Sequence, residues 1–157
     1  MKNIIKLFFI LVVTTNIANV SAAPKTDMPT LSFNKIIVPE APPVASVMVA
    51  YMNIKNNSNK TQTITQIMSP QFKRVEIHKM SMANGMMDMK QIKDLPLKPK
   101  QTITLETGGL HVMLIKPIKT LKHDDKVEIT FKLSSGELTT INTQVSNAEL
   151  SNSHHHH

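Results

Sequence analysis

The chain has 157 residues, with 18 Lys and Arg against 11 Asp and Glu for a formal charge of +7, and no cysteine or tryptophan. At 41% hydrophobic and 18% charged it has the apolar material for one globular core, which excludes a disordered or collagen-like chain. The lack of cysteine excludes a disulfide framework, a zinc ribbon, a thiol nucleophile and any copper centre built on a thiolate. Imidazole, thioether, carboxylate and backbone groups remain as metal donors.

From the amino end, residues 1–22 read as a removable export signal. Lys2 and Lys6 precede the apolar run Leu7 to Val13, which is too short to span a bilayer. Val20-Ser21-Ala22 places small residues where a signal peptidase reads them, so cleavage is expected after Ala22 or, one register on, after Ala23. The mature chain is then expected to fold outside the cytosol, without a membrane span. Residues 23–30 form an amino-terminal extension, 31–147 a single domain and 148–157 a tail.

Within that domain, eight runs carry β-branched enrichment or alternation: Leu31 to Val38, Ser46 to Ile54, Thr61 to Met68, Lys73 to His78, Thr102 to Leu105, His111 to Lys116, Lys126 to Leu133 and Glu137 to Val145. With no sustained helical period they predict an all-β sandwich or barrel. Val127 to Leu133 alternates apolar and polar residues, the pattern of a strand with one face in a core. Asn56 to Asn59 and Ser134-Ser135-Gly136 read as hairpin turns. Pro39, Pro42 and Pro43 stiffen the segment before the second run and predict a link crossing between sheets. Gly85 is expected at positive φ, and Gly108-Gly109 as an ordinary turn.

The positive charge is scattered over single lysines with one arginine, Arg74, and the chain holds five Phe and one Tyr. A nucleic-acid platform would cluster cations with stacking rings, so no nucleic-acid partner is expected. The tail ends in His154, His155, His156 and His157. A purification tag usually carries six histidines, and both origins stay open. If natural, the run is a loose Cu(II)-capturing arm.

The chemistry concentrates in two segments. Of eleven methionines, five (Met80, Met82, Met86, Met87 and Met89) fall between residues 80 and 89, just after His78 and among Lys, Ser, Asn, Gly and Asp. That stretch reads as a loop, where a pure packing role for thioethers would expose apolar, oxidisable surface. A Met-rich protein-binding face is the competing reading. Further on, His111 and Met113 stand two apart on a predicted strand, so both leave the same face. His78 ends an earlier strand and Met89 closes the Met-rich loop, and pairing of the two strands would gather all four donors. Two neutral imidazoles with two thioethers favour Cu(I) over Zn(II) and do not suit Mg or Ca. His123, in the charged turn Lys122 to Asp125, is assigned no role.

The spacing of these donors resembles a known pattern. His78, ten residues, Met89, twenty-one residues, then His111-Val112-Met113 is similar to the signature of the periplasmic copper chaperones called PCuAC. The flanking Val75-Glu76-Ile77, Gly85, Gly108-Gly109-Leu110, Ala41-Pro42-Pro43 and Ala50-Tyr51 also resemble that family, and the likeness covers roughly residues 30 to 146. It implies a cupredoxin-like Greek-key β-sandwich or barrel that binds one Cu(I) per chain on His78, Met89, His111 and Met113. It also implies delivery, by ligand exchange, to the copper centre of cytochrome c oxidase, directly or with a Sco-type thiol protein. Where that family often has an acid after the first His, this chain has Lys79, which predicts a more positive site rim. A monomeric carrier without enzymatic activity is expected. A copper-sequestering tolerance protein and a Met-rich interaction module are the alternatives.

Overall fold

The computed structural model describes residues 28–83 and 85–147, and these form ten strands and no helix. In chain order they are β1 (Leu31–Pro39), β2 (Val47–Asn56), β3 (Gln62–Met68), β4 (Phe72–Ala83), β5 (Met86–Ile92), β6 (Leu95–Leu97), β7 (Thr102–Leu105), β8 (Leu110–Pro117), β9 (Lys126–Leu133) and β10 (Leu138–Ser146). Seven of them close on themselves in the order β4-β8-β2-β1-β10-β9-β3, with β3 returning to β4 through the Ile67–Val75 bridge. Closure removes the free edges that an open sheet would expose. The short β6 pairs with β3, β7 with β2, and β5 extends outward from β4.

Alternation decides which side chains fill the barrel. Val127, Ile129, Phe131 and Leu133 of β9 are all buried, as are Met48, Ala50, Met52 and Ile54 of β2 and Val112 and Leu114 of β8. Phe131 packs against Phe33 with ring centroids 4.6 Å apart. Each of these side chains larger than Ala50 contributes about 1.5–3 kcal/mol by leaving water. One buried polar residue belongs to the same face: Asn56 donates to the carbonyls of Lys60, Leu97 and Lys98 and accepts from the Ser58 N–H and hydroxyl. With its amide fully partnered, Asn56 anchors the path from β2 to β3 and ties β6 to it.

The eight expected runs are strands, within a few residues at their ends, and four expectations change. First, Asn56 to Asn59 is not a hairpin, because β2 and β3 pair with different neighbours and the connection crosses the barrel. Second, the proline-rich segment joins antiparallel neighbours, β1 and β2. The crossing is made within β1 itself, whose register shifts between Asn34 and Ile37 so that its end pairs parallel with β10. Third, β6 was unanticipated; it is three residues long with Pro96 on an edge. Fourth, the Met-rich stretch is a β-hairpin and not a loop: β4 continues past His78 to Ala83 and turns back as β5. Ser134 to Gly136 does join paired strands, β9 and β10. The export signal and the histidine tail lie outside the described residues.

Candidate metal centre

The β4–β5 hairpin is built on alternation with a tight reversal. Ala83 pairs with Met86, and in the reversal between them Gly85 takes φ +75°, a conformation that side-chain-bearing residues resist. Going back along β4 from this turn, Ile77 and Val75 point into the barrel while Met82, Met80, His78 and Glu76 leave the opposite face. β8 lies on the other side of β4, and its Val112 and Leu114 fill the core, so His111 and Met113 share that outer face. The turn before β8 has Gly108 at φ +78°, and the Gly109 carbonyl at its end accepts the Met80 N–H at 3.0 Å.

The register sets His78 directly opposite His111, with ring centroids 6.2 Å apart. Both rings are withdrawn from solvent, His111 being 5% exposed and the His78 side chain 16%. His78 Nε2 lies 2.9 Å from Glu76 Oε2, and His111 Nδ1 lies 3.2 Å from the Gly109 carbonyl oxygen. A carboxylate and a carbonyl only accept, so in each neutral ring that nitrogen carries the hydrogen and donates it. The lone pairs are then on His78 Nδ1 and His111 Nε2. His78 Nδ1 is buried and has no hydrogen-bond partner, a state that costs about 1–3 kcal/mol when nothing compensates it. An imidazole held by a carboxylate at one nitrogen and bare at the other is the usual arrangement of a metal-ligating histidine.

Of the four residues singled out from sequence, the fold brings three onto adjacent positions: His78, His111, and Met113, which pairs with Glu76 one step along the same face. Met89 shares the face from the next strand, paired with Met80, on the far side of the imidazoles from Met113. The two thioethers therefore flank the imidazole pair from opposite ends. Met80, half-buried and paired with Met89, belongs to the Met-rich segment noted from sequence but was not assigned as a ligand there, and Glu76 was not picked out. For Glu76 the signal was available, since Glu-x-His on a strand puts both side chains on one face. Glu76 also meets Arg74 Nε at 3.5 Å through its other oxygen. Lys79, expected at the rim, leaves the reverse face opposite Lys90, so its charge does not line the donors. His123 is elsewhere, exposed beside Asp124. Among the described residues no three His, Asp or Glu side chains gather as a metal-holding group.

Comparison with known proteins adds to this geometry. A family model described as lipoprotein LpqE-like matches residues 31–145. No curated protein matches the chain. Among solved structures, the copper-bound PCuAC domain from PmoF2 is 18% identical with a TM-score of 0.62, over 75% of this chain and 93% of that one. The apo PCuAC domain from PmoF1 is 21% identical with a TM-score of 0.63, over 77% and 97%. The solution structure of the Cu(I) form of DR1885 from Deinococcus radiodurans is 26% identical with a TM-score of 0.58, over 80% and 82%. The expected fold class, an all-β cupredoxin-like barrel, is the one observed and the one these domains share.

Proposed function

Because the chain belongs to the LpqE-like family, we propose that it is an exported copper carrier that takes up one Cu(I) on His78, Met89, His111 and Met113. The observation that carries this reading is the buried, unpartnered Nδ1 of His78, on a ring paired with that of His111 across β4 and β8 at 6.2 Å between centroids. Copper in a related PCuAC domain and in the Cu(I) form of DR1885 supports it. Neutral nitrogen and sulfur donors hold Cu(I) and leave the site with the ion's single positive charge. The backs of the two rings are fixed by Glu76 and the Gly109 carbonyl, so the lone pairs are oriented before an ion arrives.

Release follows from the same donors. Thioether and imidazole are exchangeable, and a thiolate acceptor displaces them one at a time through a shared intermediate, so the ion passes on without becoming free. A Sco-type thiol protein or the copper centre of cytochrome c oxidase is the recipient we assign. Export in this reading is through the signal at residues 1–22, cleaved near Ala22 or Ala23.

Titration with Cu(I) against a competing chelator tests the site. One ion per chain is expected for the native protein and for His123→Ala, and no stoichiometric binding for the double variant His78→Ala, His111→Ala. Stoichiometric binding that survives loss of both histidines removes the proposed ligand set. A transfer assay to a reduced thiol protein then separates delivery from sequestration.

A further inference from the structure

The donor face does not end at the imidazoles. In an antiparallel strand a residue's N–H and C=O point to the same side. The Met80 N–H points toward Gly109, on the β8 side, so Met80 and Met89 oppose each other as a non-hydrogen-bonded pair, the closer of the two kinds, with Cα atoms ~4.5 Å apart. Two residues farther along each strand, Met82 and Met87 repeat the arrangement. The hairpin thus presents two successive thioether pairs on the face that carries His78 and His111, with steps of roughly 7 Å along the strand. Exposure rises along this series: 5% at His111, 45% at Met89, and 69% and 65% at Met82 and Met87.

Packing does not account for the outer pair. Methionines that fill space in this protein are Met48 and Met52, which are buried in the barrel. Met82 and Met87 are exposed on a two-stranded projection, where Thr or Val would favour the strand more and expose less oxidisable surface. Their shared property is a soft, uncharged thioether at each of two directly opposed positions of one face, a donor set suited to monovalent copper.

We propose that Met82 and Met87 form a second, outer Cu(I) site that captures the ion from solvent and passes it through Met80 and Met89 to the His78–His111 centre. The inference rests on the copper reading of that centre. Each step exchanges one copper–sulfur bond for another, with no change of oxidation state and no proton released, since thioethers carry none. The inner centre adds two imidazoles to its thioethers and binds more tightly than a bare sulfur pair, so the ion runs inward and the outer site is vacated for the next.

The test is a titration of the full chain, carrying carbon-13 in its methionine methyl groups, with Ag(I) as a redox-inert substitute for Cu(I). The first equivalent is expected to move the imidazole signals of His78 and His111. The second is expected to move the Met82 and Met87 methyl signals to saturation. Met82→Leu with Met87→Leu keeps the apolar surface but not the sulfurs, and is expected to lose the second phase and retain the first. Methyl signals of Met82 and Met87 that stay unmoved under excess Ag(I), while the imidazoles titrate, overturn the outer site and leave the inner one standing. A second phase that survives the double leucine variant overturns it equally. Imidazoles that never respond overturn the inner centre, and the relay with it.

Discussion

Strand β4 passes through two environments, and they make opposite use of the same alternating backbone. From Phe72 to Ile77 it is a stave of the barrel, with Phe72 and Ile77 buried among aliphatic neighbours. Beyond His78 it leaves the barrel with β5 as its partner, and Met82, Met86 and Met87 are exposed. Methionine shows the contrast most directly: Met52 is enclosed in the core, whereas Met82 meets solvent. Alternation makes a strand in both places, but only closure of the barrel decides that one face is dry. Buried apolar packing is therefore concentrated in the barrel and the candidate donor side chains in the hairpin and the seam beside it, with His78 and His111 at the boundary.

The sharpest way to break this division is to damage the barrel alone. Phe131→Ala removes a fully buried ring together with its contact to Phe33, and is expected to cost about 3–5 kcal/mol of unfolding free energy. Denaturant unfolding of the metal-free protein measures it. The donor face lies on the opposite side of the sheet, so at temperatures where the variant is still folded its copper stoichiometry should be that of the native chain. A variant that unfolds normally but binds no copper would show the two regions to be one cooperative unit.

The barrel was more legible in the sequence than the hairpin, for a physical reason. The strands of the barrel bury one face, and burial writes itself into β-branched and apolar residues at every second position, as from Val127 to Leu133. The hairpin buries little, so Ser81, Asp88 and Lys90 look like loop residues, and weak β-propensity hides the strand. Its clue was the Asn84-Gly85 dipeptide, a two-residue reversal signal. The donors were legible where they are local: His111 and Met113 share a face by spacing alone. That His78 meets His111 and not a neighbour depends on the register between strands far apart in sequence, which is set by closure of the whole barrel and by the Gly109 turn.

A smaller effect is expected from the carboxylate behind the site. Glu76→Ala takes away the group that accepts the His78 Nε2 hydrogen, so the ring loses its fixed orientation, and Cu(I) affinity should fall about 10–100-fold. Glu76→Gln still offers a carbonyl oxygen to the same hydrogen and should recover most of the loss. Arg74→Ala touches only the other carboxylate oxygen and should change affinity little. Chelator competition gives the affinities, and the unfolding midpoint of the metal-free variants should barely move. If stability falls while affinity holds, Glu76 supports the sheet and not the ligand.

The smallest effect probes the hairpin as a separate unit. Gly85 has φ +75°, and a Cβ placed there would meet no atom within 4 Å, so Gly85→Ala acts through backbone strain alone, about 1–2 kcal/mol. β5 pairs with β4 and is otherwise outside the closed barrel, so that strain can be relieved by opening the hairpin without opening the core. Amides of β5 should therefore be less protected from hydrogen exchange than those of β9 in the native chain, and Gly85→Ala should quicken exchange at β5 by roughly 5–30-fold without closing that gap. Equal protection of β5 and β9 would mean that the hairpin and the barrel open together, and the thioethers would then sit on part of the core's own folding unit.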